Sequence, residues 1–353
     1  MSKLSELHEF APLHRISGEK WKKWRAATTL ISPTIADDCA SLVLNDTLVG
    51  IEVEAENVRD ARYDVLFWNV KEDNSLRNHG IEFVSCPLVG EQIVYALHSL
   101  ESQMSADTSF SHRTSVHVHM NVQDMSPIQI SKLLLVYLTV ERLLYRFVGH
   151  HRDKNIFCVP LYDLEMVSSL YKSLKTIPKH PLMQGEGTRY SGLNFDPVLK
   201  FGTVEFRHMH GTNNSQRLLT WINLIMCIKQ HAMVTEEEIL IRDILSLNTS
   251  SDYKTYVSRI FGRYLSCFPE TFLNQDVELG VLTVKRSLFS GNYLKTLRSG
   301  VDAASDAYQT YVKVAPAAVA VPRRPRVEGA LADIAAAIRP LEFNMAGNVV
   351  RTR

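Results

Sequence analysis

Four short segments of the chain alternate between apolar and polar residues, which predicts β-strands. In GIEVE (50–54), Ile51 and Val53 are apolar, and Glu52 and Glu54 occupy the positions beside them. Successive side chains of a strand point to opposite faces, so each polar set should lie on one side of its strand. The polar positions are Glu52 and Glu54 in GIEVE, Glu82 in IEFVSCP (81–87), His117 and His119 in SVHVHMN (115–121), and Glu205 and Arg207 in TVEFRHM (203–209).

Apolar residues recur at helical spacing elsewhere in the chain. EQIVYALHSLESQM (91–104) predicts one helix, and a second should begin at Pro127, behind a Ser126 cap, and run to Gly149. A third should start near Ser215, and its apolar residues on nearly all sides indicate burial. Further helices are predicted near residues 236–247 and 253–268.

The remaining strand predictions concern a hairpin and two single strands. SLVL (41–44) and TLVGIEVEAE (47–56) flank Asn45-Asp46, which is typical of a hairpin. Residues 64–73 and 199–210 are each predicted to form a strand. Strands at irregular intervals among helices, without the regular alternation of a parallel sheet, predict an α+β fold with a largely antiparallel sheet and packed helices.

Composition and charge exclude several classes of protein. Lys and Arg number 39 and Asp and Glu 38, and this formal net charge of +1 argues against a protein that coats nucleic acid or an anionic membrane. No apolar run reaches the roughly 18 residues of a membrane-spanning helix. The first residues, MSKLSELHEFAPLHR, lack the apolar stretch of a secretory signal. We therefore expect a cytoplasmic protein without a membrane or nucleic-acid partner.

Common sequence signatures are missing. The five cysteines, Cys39, Cys86, Cys158, Cys227 and Cys267, are scattered and never in CxxC spacing. This argues against a disulfide framework or a structural zinc site, so we expect reduced and mostly buried thiols. The sequence also contains no GxGxxG and no GxxxxGK[ST], so neither a Rossmann nor a P-loop nucleotide site is expected.

The four strands with polar faces become informative when they are considered together. If they are neighbours in one sheet, one face carries several carboxylates, two imidazoles and an arginine. So many like charges cannot lie close together unless something neutralises them. Divalent cations would do so, and carboxylate-rich ligand sets favour Mg²⁺ or Mn²⁺ over zinc. Magnesium held by carboxylates beside an arginine suits a site that handles phosphate groups.

The order of these motifs resembles that of the putative amidoligase family. The resemblance covers residues 49–221 and rests on GIEVE, SLR followed by GIEFVSCPL, VHVHMN, an R-x-x-N-x-FC segment (152–158) and GTVEFRH. That family belongs to the superfamily of glutamine synthetase and glutamate–cysteine ligase. The resemblance implies a glutamine synthetase-like catalytic fold and an ATP-dependent carboxylate–amine ligase. In such a ligase ATP phosphorylates a carboxylate, and an amine then attacks the acyl phosphate.

The resemblance also implies a two-metal site, with ATP and Mg²⁺ (or Mn²⁺) as cofactors. Glu52 and Glu54 match the paired glutamates of the first catalytic strand, each of which serves a different metal ion. Asp73 and Glu82 resemble the acidic pair that completes one of the two metal sites.

The other metal ion would lie near the γ-phosphate of ATP. His119 resembles the second histidine of the family's HxH strand, which helps to hold this ion, and Glu205 resembles its last carboxylate. Arg207 resembles the arginine that steadies the transferred phosphoryl group, so His119 and Arg207 are candidates for cofactor binding. The catalytic candidates are Arg207 and Arg77, the latter as a contact for the substrate carboxylate.

The chain is predicted to have three parts. Residues 1–40 form an N-terminal extension packed on the main body, and residues 41–312 form an amidoligase-like catalytic domain with a helical C-terminal part. Residues 313–353 are an Ala/Pro/Arg-rich linker and tail, expected to be flexible. Within the extension, GEKWKKWRAA (18–27) is interpreted as an amphipathic helix end, with nucleic-acid contact as the alternative.

Several alternatives stay open at the level of sequence. The same Glu/His face would also suit a metal-dependent hydrolase, or the chain could be a non-catalytic protein that retains the ligase fold. The carboxylate and amine substrates can be small molecules, peptides or protein side chains, and a homo-oligomer is open because glutamine synthetase-type sites sometimes lie between subunits. His117, His208 and His210 are general-base candidates by residue type, or ordinary packed or surface histidines. Glu141 either supports the site or is a structural acid.

Overall fold

A six-stranded antiparallel sheet lies at the centre of the computed structural model, which describes residues 2–28, 33–58, 66–104, 106–161, 164–179, 188–275 and 285. The strands are β1 (Val49–Ala55), β2 (Trp68–Glu72), β3 (Ile81–Ser85), β4 (Ser115–Asn121), β5 (Leu193–Asn194) and β6 (Thr203–His210). Their order across the sheet is β2-β3-β1-β4-β6-β5, and every neighbouring pair is antiparallel. The predicted α+β class with an antiparallel sheet is confirmed.

Helices make up most of the remaining described structure. They are α1 (Leu4–Leu7), α2 (Gly18–Ala27), α3 (Pro33–Ser41), α4 (Glu91–Gln103), α5 (Pro127–Val148), α6 (Leu164–Thr176), α7 (Pro197–Phe201), α8 (Ser215–Val234), α9 (Glu237–Ser246), α10 (Ser250–Phe261) and α11 (Glu270–Gln275). The predicted start of α5 is confirmed, because Ser126 and Gln129 form a reciprocal capping box around Pro127. Short 3₁₀ helices span His150–Lys154, Thr188–Tyr190 and Gly262–Cys267.

Three long helices cover one face of the sheet. The indole N–H of Trp68 on β2 donates to the carbonyl of Ala96 on α4 at 3.1 Å. The ring of Phe206 on β6 packs against those of Tyr137 on α5 and Trp221 on α8, with centroids 6.2 and 6.4 Å apart. The apolar strand positions are buried in this layer, which leaves the opposite face of the sheet for the polar positions.

The predicted hairpin at Asn45-Asp46 is wrong. Both edges of β1 are already paired, with β3 on one side and β4 on the other, so no edge is free for another strand. Leu42 and Leu48 are buried, and the N–H of Val43 donates to Oδ1 of Asn223 on α8 at 2.9 Å. The short apolar run therefore packs on a helix instead of pairing in the sheet.

The strand predicted over residues 199–210 begins later than expected. Residues up to Phe201 form α7, and Gly202 ends that helix with a φ of +68°, a conformation that glycine adopts without strain. Only Thr203–His210 is extended.

The N-terminal extension contains α1, α2 and α3. Trp21 and Trp24 of α2 pack against the rings of Phe67 and Tyr95, as an amphipathic helix end would. The N–H of Leu4 donates to the carbonyl of Met125 at 2.7 Å, which ties the start of the described chain to the body.

Three further observations bear on the sequence-based expectations. All five cysteines are free thiols, although only Cys158 and Cys227 are fully buried. Across the described ranges, no helix has both the length and the apolar character needed to cross a bilayer. The predicted tail, residues 313–353, lies outside the described residues.

Candidate functional site

The four polar-faced strands are neighbours in the sheet, in the order β3-β1-β4-β6. Their register places polar residues directly opposite one another. Glu54 opposes Glu82 across β1 and β3, Glu52 opposes His117 across β1 and β4, and His119 opposes Glu205 across β4 and β6. The sheet thus collects the carboxylates, imidazoles and arginine on the face that the helices leave uncovered.

Glu52, His119 and Glu205 form a group that can hold a metal ion. Each offers one ligand atom, and these atoms lie within 4.8 Å of one another. Nδ1 of His119 lies 3.1 Å from Oγ1 of Thr203, while its Nε2 faces Oε1 of Glu52 at 3.6 Å. Burial lowers the pKa of His119, which favours the neutral imidazole that binds metals. Two carboxylates and a neutral imidazole fit a divalent cation such as Mg²⁺ or Mn²⁺.

His117 lies beside this group and contacts two of its members, although the sequence suggested it only as a general-base candidate by residue type. Its Nδ1 lies 3.3 Å from Oε2 of Glu52 and 3.4 Å from Oε1 of Glu205. Burial alone would raise the pKa of Glu52, but the hydrogen bond with His117, the charge of Arg207 and the charges that His119 and His117 carry when protonated lower it overall. Glu52 is therefore held as a carboxylate.

Glu205 is held from two further directions. Its Oε2 accepts a 2.7 Å hydrogen bond from the side-chain amide of Asn194 on β5, and its Oε1 is paired with Nη1 of Arg207. The Nε–H of Arg207 donates to the carbonyl of Phe157 at 3.2 Å. The arginine is thus fixed beside the carboxylate, next to the group that can hold a cation.

A second acidic group lies on the β3 side of Glu52. Oε2 of Glu54 accepts hydrogen bonds from both the N–H and the Oγ–H of Ser115, each at 2.8 Å. Burial raises the pKa of Glu82, and the charges of Glu52, Glu54 and Asp73 add to this increase, while Lys71 at 3.8 Å opposes it. A second cation would relieve the repulsion between these closely spaced carboxylates.

Asp73 and Arg77 lie at the turn between β2 and β3. Oδ1 of Asp73 accepts a 2.8 Å hydrogen bond from the N–H of Ser75, and the backbone N–H of Arg77 donates to Oε1 of Glu56 at 2.9 Å. Arg77 is exposed. Asp73 is close enough to Glu82 to help raise its pKa, while the backbone of Arg77 is bonded to Glu56.

A β-bulge lies at Arg207 and His208, where β6 has one residue more than β4. From Val116 to Val118 β4 advances two residues, while β6 advances three from Phe206 to Met209. Ordinary alternation places Arg207 with Glu205 and leaves His208 fully buried on the helix side, while the extra residue returns Met209 to the helix side opposite Val116. There Nε2 of His208 lies 2.9 Å from the hydroxyl of Tyr137, and burial lowers the histidine's pKa to about 3. His208 therefore does not reach the face where a general base would act.

Glu141 lies behind the sheet in the same buried network. Its Oε1 accepts hydrogen bonds from the Tyr137 hydroxyl at 2.7 Å and from the N–H of Leu161 at 2.8 Å. Burial raises its pKa to about 7. It touches the site only through Tyr137 and His208.

A pocket of about 280 Å³ opens beside the group of Glu52 and His119. It is lined mainly by apolar side chains, together with Gly50 of β1 and with Asn121 and Thr203 at the ends of β4 and β6. The apolar lining comes from Leu13, Leu48, Val84, Pro87 and Phe201, among others. Leu13 belongs to the N-terminal extension, so this segment forms part of the wall.

Several residues of this site carry no clear sequence signal. Ser115 stands two residues before His117, so the period of two that identifies the HxH strand also places it on this face. Asn194 comes from a segment without a strong pattern, and Phe157 lies in the R-x-x-N-x-FC segment, from which no role was predicted for it; the fold brings them to Glu205 and Arg207.

Comparison with known proteins agrees with this geometry. No curated protein matches the chain. The family described as putative amidoligase enzyme matches residues 43–228, more than half of the chain. This range contains all six strands and every candidate metal ligand named above. On the strength of that match, the chain belongs to the putative amidoligase enzyme family.

Proposed function

We propose that the protein is an ATP- and Mg²⁺-dependent ligase that joins a carboxylate to an amine through an acyl phosphate. Membership of the amidoligase family supports a ligase-type function. The observation that carries the proposal is the group of Glu52, His119 and Glu205 with Arg207 paired to Glu205. Phosphoryl transfer depends mainly on positioning and charge neutralisation, and these residues can supply both.

Glu52, His119 and Glu205 would hold one divalent cation, and Glu54, Glu82 and Asp73 would hold the second. Cations at these positions would neutralise the phosphate charges of ATP and of the phosphorylated acid. The Thr203 hydroxyl beside Nδ1 of His119 would keep Nε2 directed at its ion.

Arg207 would bind the phosphoryl group that is transferred. Its guanidinium is anchored by Glu205 and by the carbonyl of Phe157, so it can donate from a fixed position. Arg77 would contact the carboxylate of the acid substrate, since it is an exposed cation in the turn that also carries Asp73.

The pocket beside Glu52 would receive the base of ATP. Its volume of about 280 Å³ and its mainly apolar lining suit a flat, weakly polar ring. It lies beside His119, so a nucleotide seated there would direct its phosphates towards the metal ligands and Arg207.

The test is calorimetry with ATP and Mg²⁺, followed by an assay of ADP and phosphate release with pools of carboxylic acids and amines. Release that requires both an acid and an amine supports ligation. Phosphate release with water as the only acceptor would favour the hydrolase alternative. Absence of Mg²⁺-dependent nucleotide binding would overturn the proposal.

Variants sharpen this test. Glu205→Gln should abolish turnover with the fold intact, because it removes a cation ligand and the partner of Arg207. Glu270→Gln is the matched control, since Glu270 is a surface carboxylate paired with Lys254 far along the chain from the site. Equal loss in both variants would mean that the assay reports stability instead of catalysis.

A further inference from the structure

Arg152 is a buried arginine directly behind the bulge of β6. Its side chain is only 2% exposed. Its Nε–H donates to the carbonyl of His208 at 2.8 Å, and its Nη2–H donates to the carbonyl of Arg207 at 3.0 Å. One guanidinium therefore spans the two residues where β6 has its extra residue.

The two carbonyls lie where the bulge interrupts the ladder between β4 and β6, and the N–H of Arg207 donates to the carbonyl of Gly192 on the β5 side. Val118 pairs with Phe206 and Val116 with Met209, so Arg207 and His208 have no register partner of their own on β4. A buried carbonyl without a donor costs free energy, and a planar guanidinium can satisfy two carbonyls at a fixed separation. Lysine, a single compact charge, cannot reproduce that geometry.

The segment that carries Arg152 also binds the side chain of Arg207. Arg152 lies in the 3₁₀ helix His150–Lys154, and five residues later the carbonyl of Phe157 accepts the Nε–H of Arg207. The backbone of Arg207 and its side chain are thus both bonded to the segment 152–157.

We propose that Arg152 is a positioning residue, which fixes the β6 bulge so that the Arg207 guanidinium is presented to Glu205 and to a bound phosphate. The contribution to phosphate binding rests on the proposed function. The contribution to the placement of Arg207 does not, and the two can be measured separately.

The placement is tested by NMR on the ¹⁵N,²H-labelled full chain. The Nε–H signal of Arg207, assigned by its absence from Arg207→Lys, should show slow hydrogen exchange in the wild type because Phe157 accepts it. Arg152→Lys keeps the positive charge but lacks the planar guanidinium that donates to both carbonyls. In this variant we expect the Arg207 signal to shift and to exchange faster. An unchanged signal in a folded Arg152→Lys would overturn the proposal.

The effect on phosphate is tested by calorimetry with ATP and ADP in the presence of Mg²⁺. We expect the preference of Arg152→Lys for ATP over ADP to fall about tenfold, which is the contribution of one charge-assisted hydrogen bond. Arg207→Lys should lose a similar factor. The double variant should lose little more, because both changes remove the same interaction. Additive losses would overturn the proposal.

Arg217→Lys is the matched control, since its guanidinium also donates to a backbone carbonyl, that of Phe147 at 3.0 Å, but on an exposed surface. It should leave the Arg207 signal and the nucleotide preference unchanged. If Arg152→Lys does not fold, Arg152→Gln, which retains a donor of smaller size, serves for the same NMR measurement. A wild type without nucleotide binding would refute the proposed function, while the NMR result would still decide the role of Arg152.

Discussion

His117 on β4 directly opposes Glu52 on β1, and their side chains meet at 3.3 Å between Nδ1 and Oε2. The other nitrogen of His117 lies 2.9 Å from Oγ of Ser115, whose hydroxyl donates to Glu54. A continuous chain of polar contacts therefore joins Glu54 to Glu52 across the two acidic groups. His117 also reaches Glu205, so it supports both carboxylates that flank His119.

His117→Gln should weaken the binding of Mn²⁺ by about 10–100-fold, the cost of losing a residue that orients metal ligands. Electron paramagnetic resonance of free Mn²⁺ measures this affinity. His210→Gln is the control, because Nδ1 of His210 faces the carbonyl of Val148 at the end of β6. Equal affinities of wild type and His117→Gln would show that His117 has no part in holding the ligands.

Glu54→Gln should reduce the number of bound Mn²⁺ ions from two to one. Glu54 is bonded to Ser115 and lies opposite Glu82, whereas the group of Glu52, His119 and Glu205 does not include it. Calorimetric titration with Mn²⁺ gives the stoichiometry. Two ions in the variant, or none, would contradict the division of the face into two sites.

Gly50→Leu should weaken nucleotide binding far more than Mn²⁺ binding. Gly50 lines the pocket, and a larger side chain there would occupy the space proposed for the base. Gly50→Ala is the control, since a methyl group would make an ordinary 3.5 Å contact with Cβ of His119. If Gly50→Leu binds ATP as the wild type does, the base lies elsewhere.

Asp124→Asn should destabilise the protein more than Lys229→Met. Nζ of Lys229 is fully buried and contacts both oxygens of Asp124, at 2.9 and 2.8 Å, while the Asp124 side chain is 35% exposed. Removing the carboxylate leaves a buried ammonium without its counter-charge, at a cost of about 3 kcal/mol, whereas removing the lysine leaves a carboxylate that water can reach. Urea denaturation at neutral pH compares the two, and the reverse order would refute this explanation.

Glu141→Gln should stabilise the protein at alkaline pH. Burial raises the pKa of Glu141 from 4.5 to about 7, so the folded state binds the proton more tightly than the unfolded state. The stability that this group contributes is present below about pH 4.5 and is lost as the pH rises through 7. Glutamine keeps the oxygen that accepts from Tyr137 and Leu161, and the gain above pH 7 should reach up to about 3 kcal/mol.

Urea denaturation between pH 5 and 8 checks this prediction. The difference in the free energy of unfolding between Glu141→Gln and wild type should grow with pH. His208 changes stability in the opposite direction, because its lowered pKa makes the folded state resist protonation. Since both proteins contain His208, the difference between them isolates Glu141. A difference independent of pH would refute the prediction.

The polar face was predictable because it depends on a period of two within single strands. Glu52 and Glu54 occupy one face of β1 whatever its neighbours are, and the same holds for His117 and His119 on β4. The capping box at Ser126 and Pro127 is local in the same sense.

The features that sequence could not provide depend on contacts between distant segments. The hairpin at Asn45-Asp46 failed because β3 and β4 occupy both edges of β1, which no local pattern reveals. The alternation along TVEFRHM also conceals the bulge, because strict alternation would place Met209 on the face of Glu205 and Arg207, whereas the structure buries it opposite Val116. Arg152 and Asn194 reach the site only through the tertiary fold. The division at residues 40 and 312 stays a prediction.

Leu13 forms part of the pocket wall, so the N-terminal extension has to be present for the pocket to be complete. The family match begins at residue 43, yet Leu4 is bonded to Met125, Nε2 of His8 faces the carbonyl of Leu199 at 3.0 Å, and Leu13 closes part of the pocket. A fragment cut to residues 43–228 would keep every proposed metal ligand but would expose the pocket to water. The segment that the family model matches is therefore shorter than the segment that must fold together for the pocket to be complete.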